Sequence, residues 1–134
     1  MELMEKTLTS KLVYDGGLLK VHYDTVELVN GRTSWREVIR HPGAVVMVPI
    51  DDEDNIYLVR QYRYPYAKVL LEVPAGKLEY GEDHFEAAKR ELSEEIGAEA
   101  REWIPMGEML PTPGFCDELQ HCLLYTSPSP RDTE

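Results

Sequence analysis

Apolar and polar residues partly alternate over residues 18–28, and this period of two predicts a β-strand. The Asn-Gly dipeptide at residues 30–31 favours a tight turn, so residues 33–40 are expected to return as the second strand of an antiparallel hairpin. After the break at residues 41–43, the segment 44–50 is almost wholly apolar. Such a run predicts a strand that is buried on both faces.

Two shorter strands are predicted after an acidic turn. The first lies within residues 56–64, and the second spans residues 69–73, where the Pro-Ala-Gly sequence at 74–76 stops it. Another strand is predicted near residues 103–109. The Pro-Thr-Pro-Gly sequence at 111–114 is typical of a loop, because proline interrupts both helices and sheets.

The clearest helical pattern covers residues 83–96, which are rich in helix formers and are followed by Gly97. Its apolar residues recur at helical spacing and form one stripe: Phe85, Ala88, Leu92 and Ile96. Three carboxylates lie on the adjoining arc: Glu91, Glu94 and Glu95. Like charges at these spacings repel by about a few tenths of a kcal/mol per pair. The cluster therefore requires either solvent or a bound cation to offset this repulsion.

Composition narrows the class of protein. The chain has 134 residues, long enough for one domain with a sizeable core, and a formal net charge of −11 that opposes binding to nucleic acid or to an anionic membrane. It contains no segment typical of a signal peptide or a membrane span, so a cytoplasmic location is expected. Cys116 and Cys122 are expected to be reduced thiols, and the four histidines lack the spacing of a zinc site.

The spacing around the helical carboxylates is more specific than their number. From Gly76, five residues lead to Glu82, seven more lead to Arg90-Glu91-Leu92, and one more precedes Glu94-Glu95-Ile96-Gly97. Clustered acids alone are most often a solvated helix face. The whole pattern, however, resembles the Nudix box Gx5Ex7REUxEExGU, where U is aliphatic, and departs from it only at Ala98. The resemblance to the Nudix hydrolase family covers about residues 12–120.

The resemblance implies a metal site. Glu91 and Glu95 would be direct ligands, Glu94 would assist, and the carbonyl oxygen of Ala75 would reach the same cluster. Glu82 would either ligate as well or act through water. The implied cofactor is Mg²⁺, with Mn²⁺ as a substitute, because hard dications take oxygen ligands and relieve the repulsion between carboxylates. Arg90 would orient a glutamate of the box, and Gly76 and Gly97 would be structural.

Flanking residues indicate a branch of the family. The segment LEVPAGKLEYGE resembles the ADP-ribose pyrophosphatases, where the strand glutamate, here Glu72, faces the substrate. Pro113 lies fifteen residues beyond Ala98, the spacing that marks this branch. Trp35 would stack on adenine, and Arg63 and Arg36 would neutralise phosphate. The alternatives are a half-buried strand tryptophan and surface salt bridges for the two arginines.

The resemblance implies an α/β Nudix fold, a mixed sheet flanked by helices and preceded by an antiparallel element. Residues 1–42 would form that element, which serves dimerisation and substrate binding, and residues 43–121 would form an incomplete Nudix domain. The implied reaction is hydrolysis of ADP-ribose or a related nucleoside diphosphate sugar by a homodimer. The alternatives are a Nudix hydrolase of dinucleoside polyphosphates or oxidised nucleotides, and an inactive nucleotide-binding module.

The end of the chain departs from the family pattern. Residues 122–134 are rich in Ser and Pro and are expected to be a disordered or non-native tail. In the branch that the chain resembles, further strands, a glutamate-bearing loop and a terminal helix would follow at this point. Without them, we expect low stability and weak or no turnover even if the metal site is present.

Overall fold

The computed structural model describes residues 3–95 and 102–126, apart from the side chain of Glu95. The chain divides into two compact units, which are described separately. The first contains Met1–His41 and Leu110–Glu118, and the second contains Pro42–Met109 and Leu119–Glu134. Within the described ranges, no helix is long and apolar enough to cross a membrane.

The first unit is built on an antiparallel sheet. Its strands are β1 (Lys6–Asp15), β2 (Lys20–Glu27) and β3 (Thr33–Arg40), in the order β1-β2-β3. The predicted hairpin is confirmed as β2 and β3, whereas β1 was not predicted. The segment 110–118 follows the free edge of β3, where the Ile39 N–H donates to the Phe115 carbonyl (2.7 Å) and the Asp117 N–H donates to the Ile39 carbonyl (3.1 Å).

The second unit contains a mixed four-stranded sheet, a separate hairpin and one described α-helix, α1 (His84–Glu95). The sheet has the order β7-β4-β9-β8 and consists of β4 (Ala44–Ile50), β7 (Ala75–Lys77), β8 (Glu102–Met109) and β9 (Gln120–Thr126). Strand β4 runs parallel to β9 and antiparallel to β7. The hairpin pairs β5 (Val59–Arg63) with β6 (Lys68–Glu72). The predicted α/β architecture is confirmed in its mixed sheet, its helix and its N-terminal antiparallel element.

The core of the second unit lies between α1 and the sheet. Its buried side chains are Val45, Met47, Leu78, Ala87, Ala88, Leu92, Leu123 and Tyr125. The predicted apolar stripe is confirmed at Ala88 and Leu92, and Phe85 packs against the Trp103 ring with centroids 5.4 Å apart. Ile96 lies outside the described residues. Burying a large apolar side chain contributes about 1.5–3 kcal/mol, so this contact fixes α1 on the sheet and with it the acidic arc.

The structure corrects the predicted C-terminal tail. Residues 122–126 were expected to belong to a disordered segment, but they form most of β9, with Leu123 and Tyr125 almost fully buried. The strand is stable because it pairs on both sides, with β4 and with β8. Residues 127–134 lie outside the described part of the chain.

Candidate active site

Strand β7 brings the backbone at Gly76 against the Glu91 side chain of α1. A Cβ atom added at Gly76 would lie 2.4 Å from Cδ and 2.7 Å from Oε1 of Glu91. Gly76 is paired with Val45 of β4, so the strand cannot easily move away. The missing Cβ at Gly76 therefore permits this close approach, and the Glu91 carboxylate lies against the backbone directly after Ala75.

Arg90 joins three glutamates of the box. Its Nη1 donates a short hydrogen bond to Glu82 Oε2, its Nη2 donates to Glu91 Oε1 (3.3 Å), and its Nε forms an ion pair with Glu94 Oε1 (3.8 Å). Hydrogen bonds to Glu91 and then Glu82 raise the pKa of the Arg90 guanidinium above its ordinary value. The sequence-based role of Arg90, orienting a box glutamate, is compatible with these contacts.

The loop before α1 fixes Glu82 and the start of the helix. Glu82 Oε1 accepts a hydrogen bond from the Glu79 N–H (3.0 Å), and its side chain is only 18% exposed. Asp83 caps the helix, because its Oδ2 accepts a hydrogen bond from the Glu86 N–H (3.0 Å). The position of Asp83 before an apolar helical pattern could have identified this cap in the sequence.

These residues fit a divalent cation by the chemistry of their donors. Carboxylate and carbonyl oxygens are the ligands that Mg²⁺ takes, and the missing Cβ at Gly76 leaves the space in which Glu91 approaches β7. Within residues 3–95 and 102–126, no three acidic, His or Cys side chains are already arranged around one metal position. Arg90 contacts three of the four box glutamates, and the side chain of the fourth, Glu95, is not among those that the structure describes.

The structure brings Arg63 and Glu72 together on the hairpin. Arg63 Nε and Nη2 donate to the two oxygens of Glu72 at 2.6 and 2.5 Å, which is a bidentate ion pair. Arg63 lowers the pKa of Glu72, and Glu72 raises the pKa of Arg63, in both cases mainly through the hydrogen bonds of this pair. Glu72 is three residues before Ala75, so their Cα atoms are at most about 11 Å apart.

The other predicted substrate residues belong to the first unit. Trp35 is 55% exposed and lies parallel to the Tyr23 ring, with centroids 6.1 Å apart. Arg36 forms a bidentate ion pair with Glu5 (3.0 and 2.7 Å), so the salt bridge considered as its alternative is present. Pro113 lines an open groove of about 340 Å³ within this unit. Tyr23 was missed, although the predicted hairpin could have paired it with the strand of Trp35.

The chain matches two protein-family descriptions in succession. Residues 40–133 match the NUDIX domain, and residues 5–39 match the nucleoside diphosphate sugar hydrolase N-terminal domain. Together with the mixed sheet, the acidic helix and the Gly76 contact, these matches show that the chain belongs to the Nudix family. The predicted family is therefore confirmed.

The chain is also similar to named relatives within the family. It is 40% identical over 122 residues to an ADP-ribose pyrophosphatase of Bacillus subtilis (strain 168), covering 91% of this chain and 66% of that protein. It is 46% identical over 117 residues to a methanol dehydrogenase activator of Bacillus methanolicus, covering 87% of this chain and 63% of that protein. The chain thus spans less than two-thirds of the length of these relatives.

A solved structure supports the same assignment of the fold. The crystal structure of an ADP compounds hydrolase superimposes with a TM-score of 0.83 at 27% sequence identity. The match covers 94% of this chain and 69% of that chain. The fold is therefore the Nudix fold with an N-terminal antiparallel sheet, similar to that of this ADP compounds hydrolase.

Proposed function

We propose that this protein hydrolyses the pyrophosphate bond of ADP-ribose or a related nucleoside diphosphate sugar, with Mg²⁺ as cofactor and Mn²⁺ as a substitute. ADP-ribose would give AMP and ribose 5-phosphate. The observation that carries the proposal is the approach of Glu91 to the β7 backbone at Gly76, with Arg90 joining Glu91 to two further box glutamates. The similarity to ADP-ribose pyrophosphatases and to the nucleoside diphosphate sugar hydrolase N-terminal domain supports the substrate class.

In the proposed mechanism, the residues that would hold the metal are Glu91, Glu94, Glu95 and the Ala75 carbonyl oxygen. When bound, the metal would withdraw charge from the pyrophosphate and lower the pKa of the attacking water. Gly76 admits the Glu91 carboxylate to the β7 backbone, and Glu82 holds Arg90 next to that carboxylate. The Gly76 contact limits the positions that Glu91 can take, which matters because misplacement by about 1 Å can cost about 100-fold in rate.

For substrate binding in the second unit, we propose that Arg63 binds a phosphate and that Glu72 accepts hydrogen bonds from the substrate. Both groups are now paired with each other, so the substrate must replace this ion pair. Such an exchange is feasible because the Arg63 side chain is 45% exposed, so water can solvate the guanidinium while its partner changes.

For the first unit, we propose that Trp35 stacks on adenine with Tyr23 supporting its ring. Half of the Trp35 side chain is exposed, and an aromatic face that is held parallel by a neighbour is suited to a planar base. Arg36 and Pro113 are assigned to substrate binding as well. Arg36 is held by Glu5, so the substrate would have to replace that ion pair.

We also propose that the protein is a homodimer that associates through its N-terminal strands. All ten residues of β1 are exposed, and among the described strands β1 pairs only with β2. A long unpaired edge with exposed Leu8, Leu12 and Val13 is a ready surface for a second copy. Light scattering coupled to gel filtration would measure the mass, and a monomer at all concentrations would contradict this proposal.

The reaction is tested by measuring AMP release from ADP-ribose with and without Mg²⁺. Glu91→Gln and Glu95→Gln should each reduce turnover by at least about 100-fold, because they remove a charged metal ligand. Glu86→Gln is the matched control, since Glu86 is an exposed acid on the same helix at a position that the box leaves unspecified. A panel with dinucleoside polyphosphates and oxidised nucleotides tests the alternative substrates. Unchanged turnover in Glu95→Gln would remove Glu95 from the mechanism.

A second candidate function is favoured by the 46% identity to the methanol dehydrogenase activator. If this chain activates a methanol dehydrogenase, adding it to that enzyme should raise the rate of alcohol oxidation. Comparing the wild type with Glu91→Gln would show whether such an effect needs the acidic cluster. A rate that does not change on addition of either protein would argue against this function.

A further inference from the structure

Each of the three guanidinium nitrogen atoms of Arg90 contacts a different carboxylate. Nη1 contacts Glu82, Nη2 contacts Glu91, and Nε contacts Glu94. Its side chain is 44% exposed, so water reaches the guanidinium while it is shared in this way. The two helical partners are residues to which we assign the metal, and Arg90 therefore occupies carboxylates that a cation would need.

The three contacts are unequal. Glu82 makes the shortest one and is itself held by the Glu79 N–H (3.0 Å), whereas Glu91 and Glu94 are 3.3 and 3.8 Å from Arg90. A separation of 3.8 Å is an ion pair rather than a hydrogen bond. Arg90 is therefore anchored on the loop before α1, and its two contacts along the helix are the ones that can be given up.

The charges explain why Arg90 is needed before a metal binds. Carboxylates that are close together on a helix repel one another, and one nearby cation reduces that repulsion. The adjacent Lys89 does not have this role, because its ammonium group lies 4.0 Å from Glu86 and over the Phe85 ring. A bound dication would relieve the same repulsion and would itself be repelled by the Arg90 guanidinium.

We propose that Arg90 is the counter-cation of the metal-free cluster, a positioning residue that holds Glu91 and Glu94 and yields them to the divalent ion while it stays on Glu82. This inference rests on the proposed metal-dependent function. It implies that Arg90 stabilises the metal-free protein and at the same time weakens metal binding. A residue that only prepared the ligands for the metal would have the opposite effect on metal affinity.

The size of the effect follows from the geometry. A cation bound to Glu91 would lie about 2 Å from a carboxylate oxygen, and Arg90 Nη2 is 3.3 Å from Oε1 of Glu91. The two cations would then be about 5 Å apart. In water-like surroundings their repulsion corresponds to roughly tenfold in affinity, and physiological salt reduces this to roughly fivefold.

The test measures Mn²⁺ affinity by calorimetry on the 134-residue chain. Arg90→Gln should bind Mn²⁺ roughly fivefold more tightly than the wild type. Lys89→Gln removes the same charge one residue away and should change the affinity by less than about twofold, because its charge is directed to Glu86. In EDTA the melting temperature of Arg90→Gln should be lower than that of the wild type, and saturating Mn²⁺ should reduce the difference.

Equal or weaker Mn²⁺ binding by Arg90→Gln would overturn the inference, and the proposed hydrolase function would still stand if the wild type binds the ion. A wild type that binds no Mn²⁺ would overturn both. If Arg90→Gln does not fold, titration of the wild type with Mg²⁺ can be followed through the Nε–H signal of Arg90. That signal should shift as Glu94 is released, and a signal that stays constant through saturation would refute the exchange.

Discussion

Replacing Gly76 by alanine tests whether the Glu91 carboxylate is held against the β7 backbone. The backbone at Gly76 does not occupy the left-handed region, so alanine is tolerated by the chain itself. The new Cβ would lie 2.4 Å from Cδ and 2.5 Å from Cγ of Glu91, whereas ordinary contacts begin at 3.4 Å. Glu91 must therefore move by about 1 Å, away from the position in which it contacts Arg90.

Adding a methyl group to a packed site costs about 1–3 kcal/mol. Because Glu91 is a flexible side chain that is 19% exposed, we expect a loss near the lower limit, about 1 kcal/mol of unfolding free energy. The displaced ligand should weaken Mn²⁺ binding by about tenfold and reduce ADP-ribose turnover by about 100-fold. Gly17→Ala is the control, since nothing lies within 4 Å of its added Cβ.

A double-mutant cycle, measured by urea unfolding, separates this contact from other effects. It compares the wild type, Gly76→Ala, Glu91→Ala and the variant that carries both changes. In the wild type, Gly76→Ala should cost about 1 kcal/mol. In a Glu91→Ala background the obstructing atoms are absent, so the same change should cost nothing or stabilise by about 0.4–1 kcal/mol through the unfolded chain. An equal cost in both backgrounds would show that Glu91 does not lie over Gly76.

Three further predictions concern other parts of the structure. Glu72→Gln should weaken the ion pair with Arg63 and so leave Arg63 free to bind inorganic pyrophosphate more tightly, as measured by calorimetry. Weaker pyrophosphate binding would show that Glu72 positions Arg63 for phosphate and does not compete with phosphate for Arg63. Asp51 accepts hydrogen bonds from the turn and from Tyr57, which lower its pKa to about 2. The stability that Asp51 contributes should be complete above its unfolded pKa of about 4 and be lost as the pH falls through 2, and a carboxyl titration near pH 4 by NMR would refute this. Leu123→Ala should cost about 2–5 kcal/mol in urea unfolding, because Leu123 is 2% exposed in β9, and a cost below about 0.5 kcal/mol would contradict the burial.

The sequence predicted the elements whose pattern is local. Strand β4 and helix α1 carry their own apolar patterns, and the stripe containing Ala88 and Leu92 is buried as expected. The box spacing identified the acidic arc because helical geometry alone places Glu91 and Glu94 on one face. The contact of Arg90 with Glu94 follows from the same geometry, because the two residues are four apart on the helix. The contacts of Arg90 with Glu91 and Glu82 do not follow from helical spacing.

The elements that were missed depend on distant partners or lack a pattern. Both faces of β1 are exposed, so burial does not require its apolar and polar residues to alternate. In β9, pairing with β4 and β8 stabilises a segment whose following residues are rich in Ser and Pro. Strand β7 has three residues and exists through pairing with β4. No local rule reports such non-local pairing, and none could show that Arg63 and Glu72 bind each other.

The most direct test of the account is to locate a bound Mn²⁺ by NMR on the isotope-labelled chain. A paramagnetic ion broadens the signals of amides close to it, so substoichiometric Mn²⁺ should first broaden Gly76 and Glu91. The acidic turn at residues 51–54 provides an internal comparison, because it is rich in carboxylates but lies outside the box. Broadening that begins at Gly76 and Glu91 is the predicted result, and broadening that begins at the turn, or equally at both places, would contradict it.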